Sequence, residues 1–150
     1  MEVFLGQAKF TGPNTAEVNG QQLTFLKACI ATGGRPAVPE IAGINDVPYY
    51  SSDNIFNLTT QPKNLLIVGS GPIGAELGQA FQRLGTEVTF MNRSDKFLPR
   101  EDRDAAKHLK VQLDKDGCKF LFNSSPKQLK LVSAAAANED NLDQIELQYT

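Results

Sequence analysis

No apolar stretch in this 150-residue sequence approaches the roughly 20 residues that a membrane span needs; runs such as Leu65 to Val68 are the longest. No span is encoded. A basic excess is missing too, because 15 lysines and arginines stand against 17 acids and leave a formal charge of −2. That balance disfavours a nucleic-acid partner, since phosphate-backbone binding shows as net positive charge. Cysteine is scarce. Cys29 and Cys118 lie far apart in apolar-looking segments, so there is neither a disulfide framework nor a CxxC redox or zinc spacing, and both are expected to be buried free thiols. No metal site is expected. The opening Met-Glu-Val-Phe-Leu-Gly has no basic region followed by an apolar one, so no secretory signal is visible, and the compartment stays open between cytoplasmic and organellar.

What is present suits one ordinary globular domain, with 41% hydrophobic and 21% charged residues. The first segment reads as short strands at Val3 to Leu5, Ala8 to Phe10, Ala16 to Val18 and Leu23 to Phe25. Asn19-Gly20 between the last two favours a tight hairpin turn. Leu26 to Ala31 continues as a buried strand and stops at Thr32-Gly33-Gly34-Arg35-Pro36. The proline-punctuated stretch from Pro36 to Pro62 reads as a crossover.

A second unit opens with Leu65 to Val68, a run suited to a central parallel strand covered on both faces. Gly69 to Gly74 follows, and Ile73, Leu77, Ala80, Phe81 and Leu84 then recur as one face of a helix. Gly85 ends that helix and Glu87 to Met91 resumes as a strand, completing a β-α-β unit of about 30 residues. Asp102 to Asp116 is a second helix with Ala106, Leu109 and Leu113 on one side and Gly117 beyond its end, and Cys118 to Phe122 is a third strand. Leu129 and Leu131, then Ile145, Leu147 and Tyr149, alternate with polar residues as half-exposed antiparallel strands, with Ser133 to Asp143 as a mobile loop between them. The expected fold is therefore α/β: a Rossmann-like unit with a parallel sheet and an antiparallel β-meander, preceded by a β-rich segment.

Gly69-Ser70-Gly71-Pro72-Ile73-Gly74 fits G-x-G-x-x-G, and the spacing has a purpose at each glycine. Gly69 permits the turn out of the strand, Gly71 lets backbone approach a pyrophosphate, and Gly74 lets the helix pack close to the sheet. Free N–H groups at the helix start then bind the anion. A purely structural glycine turn and an adenosyl-cofactor methyltransferase are the competing readings; the flanking strand, helix and returning strand favour the dinucleotide.

The end of the next strand reads Met91-Asn92-Arg93-Ser94-Asp95-Lys96, with Asn92 where an acid would hold the ribose hydroxyls of NAD. Arg93 beside it suits a phosphate. A charge pair at ~4 Å is worth about 1 to 4 kcal/mol, and at ~1.4 kcal/mol per tenfold this favours NADPH by about tenfold or more before desolvation. The alternative has Arg93 and Lys96 as solvated charges and Asp95 as the ribose acid. Both NADP(H) and NAD(H) thus remain as cofactors.

These residues together resemble the pyridine nucleotide-disulfide oxidoreductases, the family of dihydrolipoamide dehydrogenase, glutathione reductase and mercuric reductase. Ala31-Thr32-Gly33-Gly34-Arg35-Pro36 resembles the A-T-G-x-x-P segment that closes the flavin domain, and Gly69 to Gly74 with Glu76 resembles G-x-G-x-x-G-x-E of the nucleotide domain. Asn92-Arg93-Ser94 followed by Pro99-Arg100-Glu101-Asp102 is similar to mercuric reductase-like members. The resemblance implies that residues 1–45 are late strands of an FAD-binding domain, 46–62 a linker, and 63–150 an NAD(P)-binding domain whose last strand lies beyond Thr150. It implies hydride passing from NAD(P)H to FAD and on to a disulfide or similar acceptor. It places Glu76 near the nicotinamide and Thr32 and Gly33 on the flavin nucleotide, each with an ordinary structural role as the alternative.

Departures are equally specific. The sequence has no first G-x-G-x-x-G for FAD, no C-x-x-x-x-C pair and no dimerisation domain with its catalytic His and Glu, and His108 belongs to no recognisable motif. Pro72 stands where some relatives place an aromatic gate. The chain is therefore expected to be an internal piece of a longer, homodimeric flavoprotein, with no catalytic residue of its own and little activity alone. A stand-alone nucleotide-binding module, and a family member lacking the cysteine pair, are the other readings.

Overall fold

The computed structural model describes residues 1–133 and 144–150, and the chain divides into two compact units, Met1–Arg35 and Pro36–Thr150. The expected loop at Ser133 to Asp143 lies almost wholly outside the described residues.

The first unit is a three-stranded antiparallel sheet of β1 (Ala8–Gly12), β2 (Thr15–Val18) and β3 (Gln21–Thr24) in that order. Val18 pairs with Gln21, and Asn19 and Gly20 between them take φ 51° and 79°, the left-handed pair that a tight hairpin requires. The expected strands at Val3 to Leu5 and Leu26 to Ala31 do not form. A strand needs a ladder partner for its backbone groups, and among the described residues neither segment has one beyond the Asn19 side chain donating to the Leu5 carbonyl at 2.7 Å. Without a ladder the apolar run is uncovered: Leu26 is 96% exposed and Cys29 is exposed, which corrects the expectation of two buried thiols.

In the second unit, the stretch from Pro36 to Pro62 is irregular apart from 3-10 turns at Ile44–Asp46 and Ile55–Asn57. Strand β4 (Asn64–Val68), helix α1 (Pro72–Arg83) and strand β5 (Glu87–Met91) form the β-α-β unit, followed by helix α2 (Arg103–Asp116) and strand β6 (Lys119–Leu121). β4 pairs with β5 and β5 with β6, both parallel, in the order β4-β5-β6. The interior strand is thus β5, where Val88, Phe90 and Met91 are buried, and not β4. β4 alternates: Leu65 and Ile67 pack against the core, while Leu66 and Val68 stay 36% and 49% exposed. Its second face is open.

The buried face of α1 also differs from the expected one. Of that face Phe81 packs against the core and Leu77 is half-buried, but Ile73, Ala80 and Leu84 are exposed, and the fully buried residues of the helix are Ala75 and Gly78. A Cβ on Gly78 would lie 2.7 Å from Ile67 Cδ1 and closer still to the Phe90 ring. The fit depends on small residues, whereas periodicity picks out large ones. The helix ends as expected, with Gly85 at φ 104° and Thr86 N–H donating to the Phe81 carbonyl at 3.0 Å.

Helix α2 is capped by Asp102, whose carboxylate accepts from the Asp104 and Ala105 amides at 3.0 Å, a cap worth about 1 kcal/mol. Ala106 and Leu113 are buried on its inner side, and Gly117 closes it at φ 96°. Between the helices Asp116 accepts from Gln79 at 2.7 Å and Arg83 at 2.9 Å on α1 and from Gln112 at 2.7 Å on α2. The Gln79 hydrogen bond is the largest influence on its carboxyl; partial desolvation opposes it, and with Gln112 and Arg83 the net effect holds the pKa below the ordinary value of 3.8. Aromatic rings fill the core: Phe90 stacks on Phe120 with centroids 5.1 Å apart, and Phe97 meets both edge-on. Cys118 is buried there, which raises its thiol pKa, with the charges of Asp116 and Asp114 adding to the effect.

Strands β7 (Pro126–Ser133) and β8 (Gln144–Tyr149) pair antiparallel, with Leu129 opposite Leu147 and Leu131 opposite Ile145. Leu129 N–H also donates to the Ala42 carbonyl at 2.8 Å, so the stretch before β4 is pinned to this hairpin. Among the described residues, no helix is long and apolar enough to cross a membrane.

Candidate functional site

Everything that converges at the C-terminal end of the parallel strands follows from how β4 hands over to α1. Gly69 takes φ 107°, a conformation that costs any other residue, and its N–H donates to the Met91 carbonyl at 2.8 Å. Gly71 is the N-cap in an extended conformation, Pro72 opens the first turn, and among the described residues no side-chain hydrogen bond caps the helix start. The first helical bond is Ala75 N–H to the Gly71 carbonyl at 3.0 Å. Among the described residues the amides of Ile73 and Gly74 therefore have no helical or side-chain acceptor, and they project from the positive end of the helix dipole. A Cβ on Gly71 would meet nothing within 4 Å, so the backbone there is open to approach; one on Gly74 would lie 3.1 Å from Ile67 Cγ2, so Gly74 sets the helix close to the strand.

A cavity of about 230 Å³ lies at this turn, lined by Ser70, Gly71, Pro72, Asn92, Leu98, Pro99, Arg100 and Glu101. Ser70 is 2% exposed, and its hydroxyl has no hydrogen-bond partner among the described residues. A buried hydroxyl without a protein partner is uncommon, and this one keeps a donor and acceptor free beside the cavity.

Asn92 forms the far side. Its N–H donates to the Leu121 carbonyl at 2.8 Å, which extends the sheet ladder by one residue. Its side-chain Nδ2 donates to Ser94 Oγ at 2.9 Å and to the Lys96 carbonyl at 2.7 Å. Because a carbonyl can only accept, this fixes which way the amide points. Both hydrogens are used, and Oδ1 is left as the acceptor.

Of the residues expected from sequence, Ser70, Gly71, Pro72 and Asn92 line the cavity, while Gly69, Ile73 and Gly74 shape the turn and helix start beside it. Ser94 braces Asn92 from within the loop. Arg93 is exposed and outside the lining, and Glu76 is exposed on α1. Thr32 and Gly33 belong to the first unit, exposed in an irregular segment, with Gly33 at φ 70°. His108 is exposed on α2. Leu98, Pro99, Arg100 and Glu101 were not foreseen as a wall of the site. The run Pro99-Arg100-Glu101-Asp102 stands out in the sequence through its likeness to mercuric reductase-like members, which carries no role for it at the site; nothing in the sequence marks Leu98. Among the described residues no group of three His, Cys, Asp or Glu side chains is arranged to hold a metal ion.

The family model for pyridine nucleotide-disulphide oxidoreductases matches residues 1–147. The mercuric reductase of Staphylococcus aureus is 41% identical over 120 residues, covering 80% of this chain and 22% of that protein. The glutathione reductase of Burkholderia cepacia is 35% identical over 117 residues, covering 78% of this chain and 26% of its own length. Among solved structures, the HOCl-induced flavoprotein disulfide reductase RclA from Escherichia coli superposes with a TM-score of 0.72 at 31% identity, covering 95% of this chain and 31% of that one. The chain thus spans about a quarter of the length of the curated relatives it matches. With the glycine turn, the parallel sheet and a match running almost from end to end, the chain belongs to the pyridine nucleotide-disulphide oxidoreductase family.

Proposed function

We propose that this chain is the NAD(P)H-binding portion of an FAD-dependent oxidoreductase that delivers electrons to a disulfide or similar acceptor. When bound, the nicotinamide supplies a hydride and the flavin accepts it; the protein's task is placement. The single observation that carries the reading is the start of α1, where the Ile73 and Gly74 amides have no acceptor among the described residues, the backbone of Gly71 is open to approach, and Ser70, with its unpartnered hydroxyl, lines the adjoining cavity. Those groups suit a pyrophosphate. At about 230 Å³ the cavity is smaller than the roughly 300 Å³ at the low end of whole-ligand sites, so it takes the ribose-phosphate part and leaves the remainder of the dinucleotide along the turn.

In this arrangement Asn92 Oδ1 accepts from a ribose hydroxyl, and the guanidinium groups of Arg93, beside Ser94, and of Arg100, in the wall, supply positive charge for a 2′-phosphate. Glu76 faces the nicotinamide end, and Thr32 and Gly33 serve the flavin nucleotide. The large apolar side chains left bare at Leu26, Ile30, Leu66 and Val68, and the quarter of the relatives' length that the chain spans, support a chain that works inside a longer polypeptide; by analogy with the family that polypeptide forms a homodimer.

Fluorescence titration of the chain with NADPH and with NADH tests the reading. NADPH is expected to bind about tenfold more tightly than NADH, Arg93→Ala is expected to reduce the difference, and the double variant Arg93→Ala with Arg100→Ala to remove it. Equal affinities before mutation would overturn the phosphate assignment, and no binding of either nucleotide would overturn the function.

A further inference from the structure

Resting on the dinucleotide reading, we propose that Arg103 is a positioning residue for the nucleotide pocket: its guanidinium holds the Phe97 to Glu101 segment in the one shape that forms the pocket wall. Between Lys96 and α2 the chain crosses the end of the sheet without joining a strand or helix, so the carbonyls of this segment have no ladder to enter. Arg103 takes three of them. Its Nη1 donates to the Phe97 carbonyl at 3.1 Å, its Nη2 to the Leu98 carbonyl and to the Glu101 carbonyl at 2.7 Å, and its Nε to Glu101 again at 3.2 Å. A planar fork with five N–H groups can serve several acceptors at once; an ammonium is a point charge on a flexible stem.

Leu98 is where this matters. It is not glycine, yet it takes φ 48°, a left-handed conformation that leucine holds only when its surroundings over-determine it. Three constraints are visible. Its side chain is buried in the core, its N–H donates to the Ser70 carbonyl at 3.1 Å, and its carbonyl accepts from both Arg103 and Glu101 N–H, the latter at 3.1 Å. The Ser70 bond joins the wall directly to the glycine turn. If the carbonyl side is released, Leu98 can relax toward negative φ and withdraw its N–H from Ser70, taking Pro99, Arg100 and Glu101 with it.

Arg103 does not itself line the nucleotide pocket. It lies on a separate groove along α2 with Phe97, Ala106, Lys107 and Lys110, so it acts through the wall and not on the ligand.

The test compares Arg103→Ala, Arg103→Lys and Asp102→Ala in the 150-residue chain by NADPH titration, thermal melting and amide hydrogen exchange. Asp102→Ala is the control, because it removes the α2 cap and leaves the guanidinium in place. By releasing the Phe97, Leu98 and Glu101 carbonyls, Arg103→Ala should loosen the wall, weaken NADPH binding about tenfold and speed exchange at the Leu98 amide by about tenfold or more. Arg103→Lys should recover only part of the affinity. Asp102→Ala should lower the melting temperature but hold the NADPH affinity within about twofold of the parent. Affinities that fall in step with melting temperature in both variants, or a Leu98 amide equally protected without Arg103, would overturn the positioning role. A parent chain that binds neither NADPH nor NADH would instead overturn the dinucleotide reading and the role at the pocket with it.

Discussion

Gly78 on α1 and Phe90 on β5 touch so closely that a single methyl group on the glycine would overlap the ring. Overpacking of a close-packed core costs about 1 to 3 kcal/mol, outweighing the ~1 kcal/mol by which alanine is the better helix former. Gly78→Ala should therefore lower the chain's melting temperature, and an unchanged or raised value would refute the close approach.

Gly71 is the opposite case. It sits at φ −80° and ψ 174°, which any residue can adopt, and a Cβ there meets nothing within 4 Å. Gly71→Ala should cost at most about 1 kcal/mol as an N-cap change, while obstructing the backbone approach needed by a pyrophosphate. Nucleotide titration should show a clear loss of affinity on a nearly unchanged melting curve; unchanged affinity would mean the ligand does not come close to this turn.

Asp116 gives the helix pair a pH dependence of predictable sign. Its folded pKa lies below the ordinary 3.8, so its contribution is fully present above that value and is lost as pH falls through the folded pKa. Urea midpoints measured between about pH 6 and pH 3 should show a smaller decline for Asp116→Asn than for the parent. Parallel curves would remove Asp116 from the account.

The two thiols should separate under a maleimide reagent. Cys29 is exposed and should label in the native chain, whereas Cys118 is buried with a raised pKa, so little thiolate is available at neutral pH and it should label only on unfolding. Equal native labelling would contradict the placement of Cys118.

How far sequence could lead is clear from particular residues. Glu87 to Met91 was legible as a strand to the residue, because glycine and a returning apolar run bracket it, and α2 was legible from Asp102 at one end and Gly117 at the other. The hairpin at Asn19-Gly20 was equally plain, since Asn-Gly is the pair that most readily takes the two left-handed conformations of a tight type I′ reversal. What failed was anything decided by distant partners. The inner face of α1 is set by how near the sheet can come, which rewards Gly78 over Leu84. Leu26 to Ala31 has the composition of a strand but, among the described residues, no neighbour to pair with, and β4 has the composition of an interior strand but lies at the edge of the described sheet. In the site, the glycines and Asn92 announced themselves by type and spacing, but the Leu98 wall depends on a left-handed leucine held by a following arginine, and neither residue type signals that conformation.

The placement of β4 has a practical consequence. Among the described residues β4 is hydrogen-bonded on one side only and presents Leu66 and Val68 to water, so it offers a neighbouring copy both an unclaimed backbone ladder and an apolar surface to adhere to. Purified at high concentration, this polypeptide should self-associate through that margin, and a lysine at position 66 should keep it in solution.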